Sequence, residues 1–135
     1  MKTEYCADAI ATYQGKIVLV ERLNFPQGYA IPGGRRDYID NRIEDVYTCA
    51  VREFKEETGL DLIIKKELGT YDAPNRDPRG PKISTVVVGS AYGKIRDEIG
   101  KTRVFLFDPT ELDKYKECFA FDHYKILQDW MGGSK

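Results

Sequence analysis

The stretch Arg52-Glu53-Phe54-Lys55-Glu56-Glu57-Thr58-Gly59-Leu60 constrains this chain more than any other. It reads as the C-terminal part of one helix. Asn41 has the side chain of an N-cap, and Glu44 stands at the reciprocal position of a capping box. Gly59 suits the left-handed residue just past a helix end. These signals predict a helix from about Arg42 to Thr58. At about 100° per residue, Glu53, Glu56 and Glu57 share one arc of roughly 100°. Tyr47, Ala50, Val51 and Phe54 fall on the adjoining arc, where they would meet a core.

Helix propensity does not ask for that cluster. Carboxylates three and four residues apart repel by a few tenths of a kcal/mol per pair. A divalent cation would remove the repulsion, and hard oxygen ligands suit Mg²⁺ or Mn²⁺. Arg52, neighbour to Glu56, could orient that carboxylate by charge-assisted hydrogen bonds. A solvated acidic helix face is the other reading of the same spacing.

The run Arg-Glu-Phe-x-Glu-Glu-x-Gly-Leu, with Glu44 eight residues before Arg52, resembles the Nudix box of diphosphate hydrolases. The motif fixes many positions at fixed spacing. The resemblance implies an α+β fold, a Nudix-like α/β/α sandwich with a mixed sheet between helices. It implies metal-dependent hydrolysis of a nucleoside diphosphate linked to another moiety. Arg52, Glu53, Glu56 and Glu57 would then be catalytic residues, the three glutamates holding Mg²⁺ or Mn²⁺. Divalent ions held there would neutralise the diphosphate's charge and lower the pKa of a bound water.

Two further segments carry the resemblance. In the family, a Pro-Gly-Gly segment like Pro32-Gly33-Gly34 precedes the catalytic helix and shapes the site. Glycine also permits close backbone approach there. An ordinary turn is the other reading. The chain departs from the family pattern just after it. Tyr38 and Ile43 stand where glycines are expected. Nine residues, Arg35 to Ile43, separate Gly34 from Glu44, more than usual. The basic pair Arg35 and Arg36 would meet a phosphate or remain solvated.

The second segment is Tyr71 to Pro81, a loop stiffened by three prolines. Its Asp-x-Pro-x-Arg-Asp-Pro-Arg-Gly run resembles the ADP-ribose pyrophosphatase branch of the Nudix family, as does Phe121-Asp122-His123. Arginine pairs bidentately with phosphate and aspartate accepts from ribose hydroxyls. Arg76, Asp77 and Arg79 are therefore candidate substrate contacts with Gly33, Gly34 and Arg35. A rigid turn whose Arg and Asp pair with each other is the bland reading. On this resemblance ADP-ribose is the leading substrate, giving AMP and ribose 5-phosphate. A nucleoside triphosphate pyrophosphatase and a nucleotide-sugar sensing domain without turnover are the rival readings.

If the box glutamates are committed to metal, another acid must accept the water's proton. Glu98, in the polar loop Gly93 to Gly100, is the leading candidate for this general base. Asp97 and Glu53 compete, and a solvated loop acid is the other reading. His123 reads as a helix-start contact in preference to an acid-base residue.

The remaining chain supplies scaffold. Residues 4–12, Lys16 to Leu23, Tyr29 to Ile31, Asp61 to Tyr71, Ile83 to Tyr92 and Arg103 to Phe107 read as strands. Asp108-Pro109 opens a helical turn. Asp122 is a candidate cap for a last helix with the apolar stripe Tyr124, Leu127, Trp130 and Met131. Gly132 onward is expected to fray.

The 135 residues suit a single domain spanning 1–135. With 21 basic against 22 acidic residues there is no broad basic field, so nucleic-acid binding is disfavoured. No apolar run has the length of a membrane span, and the first residues lack a secretory signal's apolar core. Cys6, Cys49 and Cys118 have no metal-ligand spacing and read as small buried or half-buried thiols of a cytoplasmic protein. A homodimer is expected from the resemblance and the aromatic content.

Overall fold

The computed structural model describes residues 2–132. The remainder of the stretch expected to fray, residues 133–135, lies outside them. Strands β1 (Glu4–Tyr13) and β2 (Lys16–Arg22) form a hairpin through Gln14 and Gly15, both at positive φ. Strands β3 (Gly28–Ala30) and β4 (Gly33–Arg35) follow. A small hairpin comes next, β5 (Tyr38–Ile39) and β6 (Arg42–Ile43). Helix α1 (Val46–Thr58) leads to β7 (Leu60–Tyr71), β8 (Lys82–Gly93) and β9 (Thr102–Phe107). A 3-10 segment (Pro109–Cys118) and helix α2 (His123–Met131) close the chain.

The main sheet is mixed, in the order β3-β2-β1-β8-β7, with β4 also on β1 and β9 also on β2. β1 and β8 run parallel from Glu4↔Lys82 to Thr12↔Ser90, and the other pairs are antiparallel. Period-2 alternation sends each strand's side chains to two opposite cores. Ala7, Ala9 and Ala11 of β1 meet Cys49, Ala50 and Phe54 of α1. Three small residues in a row let the helix lie close to the sheet. Ile10 of β1, with Ile17, Leu19, Val86 and Phe107, meets Ile126 and Leu127 of α2. The result is the α/β/α sandwich expected. Among the described residues no helix is long and apolar enough to cross a membrane.

Several local expectations need correction. The first helix begins at Val46, not Arg42. Asp45 is its N-cap, accepting from the Tyr47 and Thr48 N–H groups. Asn41 and Asp40 instead take φ of 66° and 51° and turn the β5–β6 hairpin. Asp and Asn are favoured in such two-residue turns because they tolerate the left-handed region. The inward arc of α1 is also displaced. Cys49, Ala50, Phe54 and Thr58 are buried, whereas Tyr47 and Val51 are exposed. In α2 the buried pair is Ile126 and Leu127, and Met131 lies outside. Asp122 makes no side-chain cap, because its carboxylate is bound to Arg76. Cys118 is exposed, not buried.

Candidate active site

β1 and β2 pair directly only at Thr12↔Ile17 and Tyr13↔Lys16. Beyond that they part, and β4 takes up the freed edge of β1 through Cys6↔Arg35, Ala7↔Gly34 and Asp8↔Gly33. The fork opens a cleft. Cys6 and Asp8 of β1, Arg22 of β2, Gly33 and Gly34 of β4, and Glu57 of α1 line it. Arg79, Lys82 and Phe121 complete its rim. Towards the outside it continues past Glu53, Arg35 and Asp37.

The acidic arc of α1 is turned inward against β4. The Gly33 N–H donates to Glu57 Oε1 at 3.1 Å. Any Cβ at Gly34 would overlap the Glu53 carboxylate, and one at Gly33 would overlap Asp8 and the Ala7 carbonyl. Burial pushes Glu57 up to about 8, with the charges of Glu53, Glu98 and Asp8 adding to the shift. Burial raises Glu53 as well, helped by Glu56. Among the described residues no basic side chain lies within ion-pair distance of Glu57.

Arg52 is the hub of the outer wall. It grips Glu44 with two hydrogen bonds, Nε at 2.9 Å and Nη2 at 2.7 Å. Its Nη1 reaches Glu53 at 3.0 Å and Glu56 at 3.4 Å. Glu44 is buried, also accepts from the Asp37 N–H, and is pushed down to about 2, chiefly by Arg52. Glu44 thus anchors Arg52 instead of capping the helix.

Glu53, Glu56 and Glu57, read together as metal ligands, do not form a closed cage as they stand. Among the described residues no three Asp, Glu, His or Cys side chains converge on one point. Arg52 draws Glu53 and Glu56 aside, and Glu56 is half exposed. The donor chemistry still suits a hard divalent cation. Glu53 and Glu57 stand one turn apart on the cleft wall, carry oxygen donors only, and burial opposes their charge.

Glu98 is brought near by the helix end. Gly59 takes φ 78° and lets the Arg96 backbone approach, and the Arg96 N–H donates to the Thr58 carbonyl. The Glu98 carbonyl accepts from Lys101 and Thr102. The carboxylate is near enough to raise both Glu53 and Glu57.

The Pro-rich loop is held by its own charges. Arg76 is buried and donates to both Asp122 oxygens, at 2.9 and 2.7 Å, and to Ser84 Oγ at 2.9 Å. Asp77 accepts from the Arg79 N–H and guanidinium. Arg79 is the more exposed of the two arginines. Its guanidinium and that of Arg22 both lie over the Phe121 ring, 5.3 and 5.2 Å from the centroid. Two like charges share one corner of the cleft.

At the cleft's inner end His123 Nδ1 accepts from the Ile31 N–H at 2.9 Å. That fixes its proton on Nε2, which lies 4.0 Å from Asp8 Oδ2. Burial pushes Asp8 up to about 7 and His123 down to about 3. Burial also pushes the Cys6 thiol up to about 11, so it is no nucleophile at neutral pH.

His123 gives a measurable sign. Its folded pKa lies below the ordinary 6.5, so between about pH 6.5 and 3 the unfolded chain binds a proton that the folded one does not. His123 therefore costs stability on acidification, by up to about 1.4 kcal/mol per pH unit. Asp8, shifted the other way, opposes it. Replacing His123 by Phe is expected to remove the destabilising slope. Urea midpoints of both proteins from about pH 4 to 6 check this. Equal slopes would contradict a neutral buried His123.

Asp8, Arg22 and Lys82 were missed by sequence reasoning, and Phe121 stood out only as part of the Phe121-Asp122-His123 resemblance. Of the three, Asp8 alone carried a signal, a charge in the middle of an otherwise apolar strand.

A NUDIX domain model matches residues 4–131. The chain belongs to the Nudix hydrolase family. It is 40% identical over 129 residues to the ADP-ribose pyrophosphatase of Methanocaldococcus jannaschii, covering 92% of this chain and 70% of that one. It is 30% identical over 122 residues to the ADPR responsive transcriptional repressor NtrR of Acinetobacter baylyi, covering 85% of this chain and 46% of that longer protein. The Nudix fold recurs in a Francisella tularensis bifunctional NMN adenylyltransferase/ADP ribose pyrophosphatase, solved with AMP and a Mn ion. There the TM-score is 0.82 at 23% identity, covering 97% of this chain and 42% of that one. The Nudix domain of Shewanella oneidensis NrtR, solved with ADP ribose, gives 0.77 at 21%, covering 98% and 88%. The Nudix assignment makes the chain a hydrolase and places it beside ADP-ribose pyrophosphatases.

Proposed function

We propose that the chain hydrolyses the diphosphate of ADP-ribose, giving AMP and ribose 5-phosphate, with Mg²⁺ or Mn²⁺ as cofactor. One observation carries this reading. Glu57 is half-buried beside Glu53 in a cleft that Arg22, Arg79 and Lys82 also line. Such a cleft accepts a divalent cation on one wall and a diphosphate on the other. The M. jannaschii relative's activity supports the substrate.

Glu53 and Glu57 would hold the cation, and Glu56 would join by turning from Arg52. A cation bound there neutralises the diphosphate's charge and makes its phosphorus easier to attack. Arg79 and Arg22 would take phosphate oxygens, and guanidinium donors match that geometry. Arg35 would meet the diphosphate where it leaves the cleft. Gly33 and Gly34 keep the wall low, so that the substrate can reach the carboxylates. Arg52 fixes the wall by joining Glu44 to Glu53. Glu98 would take the attacking water's proton, its carboxylate lying off the helix with Lys101 Nζ 3.8 Å away.

Replacing Glu98 by Gln is then expected to lower kcat by about 100-fold, the scale of general-base catalysis, with KM nearly unchanged. An unchanged kcat would hand the role to Glu53. The reading as a whole is tested by incubating the protein with ADP-ribose, other nucleoside diphosphates and nucleoside triphosphates in Mg²⁺, followed by product analysis. AMP with ribose 5-phosphate is the expected pair. Preferred turnover of a triphosphate would overturn it, as would ADP-ribose binding without products.

A further inference from the structure

We propose that the groove between the start of β1 and the β5–β6 hairpin seats the substrate's nucleobase, with Tyr5 and Tyr38 as its aromatic walls. The proposal rests on the diphosphate reading above and adds where the planar part of that substrate lies.

The groove is an extension of the cleft. Glu4, Arg35 and Asp37 line both. A diphosphate in the cleft therefore has one moiety directed along it. The groove holds about 480 Å³, against about 70 Å³ at the inner end. Only the larger falls in the range of small-molecule sites, and it has free aromatic faces. Tyr38 is 60% exposed, Ile39 63% and Tyr5 39%. The Lys2 ammonium lies 6.0 Å from the Tyr38 centroid, so that face is reached from the groove and a base can take the place of a solvated cation.

The inner end offers no comparable seat. It is closed by the polar groups Asp8, Ser84 and His123, which suit hydroxyls. Its phenyl ring, Phe121, already carries Arg22 and Arg79 and packs against the His123 ring. A purine is a flat, weakly hydrated π-system, and aromatic stacking is the usual way proteins hold it. The two tyrosines are held in place. The Arg36 N–H donates to the Tyr5 carbonyl, and the stem below Tyr38 is closed by Glu44 N–H to Asp37 O at 2.6 Å and Arg36 Nε to Glu44 O at 2.8 Å.

The test compares two ligands, one with a base and one without. Calorimetric titration of AMP and of ribose 5-phosphate is made into the wild type, Tyr38→Ala and Tyr38→Phe, with ADP-ribose hydrolysis followed in parallel. Tyr38 is exposed, so neither variant strains the fold. Tyr38→Ala is expected to weaken AMP about tenfold, the scale of one lost stacking contact. Its KM for ADP-ribose should rise by a similar factor. Tyr38→Phe, which keeps the ring, should restore AMP binding. Ribose 5-phosphate should bind all three proteins alike. Unchanged AMP affinity in Tyr38→Ala, or equal weakening of both ligands, would overturn the proposal. Absence of ADP-ribose hydrolysis by the wild type would defeat the reaction assignment instead, and the AMP comparison would still decide the groove.

Discussion

Replacing Glu57 by Gln is expected to lower kcat for ADP-ribose by at least about 100-fold at saturating Mg²⁺, the scale of a lost metal ligand. The fold should survive. Gln keeps the shape of Glu57, and its carbonyl can still accept the Gly33 N–H. The change removes a half-buried carboxyl whose charged form is disfavoured by desolvation and by Glu53, Glu98 and Asp8. Thermal stability without metal should therefore stay level or rise. Falling activity with unchanged or higher Tm separates a ligand from a structural carboxylate. Near-normal turnover in a folded Glu57→Gln protein would remove Glu57 from the machinery.

The second large effect falls on stability. Arg76→Ala is expected to cost about 3–5 kcal/mol, the range for breaking a buried ion pair from one side. Asp122 would lose both of its hydrogen bonds from Arg76, and Ser84 Oγ a third. The pair joins the Pro-rich loop to the start of α2, so its loss should loosen both. Arg76→Lys cannot reproduce the two-pronged contact and should recover only part of the loss. Urea midpoints measure this directly, and a wild-type midpoint for Arg76→Ala would refute it.

The strands and the end of α1 were legible in the sequence because their causes are local. Alternation in Ala7-Asp8-Ala9-Ile10-Ala11 and a glycine after Thr58 act over a few residues. The start of α1 was misread for a local reason too. Asn41 and Glu44 imitate a capping box, whereas Asp40-Asn41 is equally good chemistry for a tight hairpin turn. Only the strand pairing of Tyr38 with Ile43 chooses between them. Part of the candidate site was legible for the opposite reason. Glu53, Glu56 and Glu57 lie within one helix, so their spacing carries their geometry. Asp8, Arg22, Lys82 and Phe121 come from four distant segments. Nothing along the chain places them together before the sheet forms. Asp122 shows the same limit. It stands where a cap is expected, but a guanidinium 46 residues away claims its carboxylate.

The closed stem of the β5–β6 hairpin has a consequence for engineering. Its two ends are locked to each other at Asp37 and Glu44, and Glu44 is locked in turn to Arg52 of α1. Everything distal to that clasp hangs from a fixed frame. The segment 38–43 is therefore an exchangeable cassette: its tip can be resequenced or lengthened without passing strain to the carboxylates of the helix.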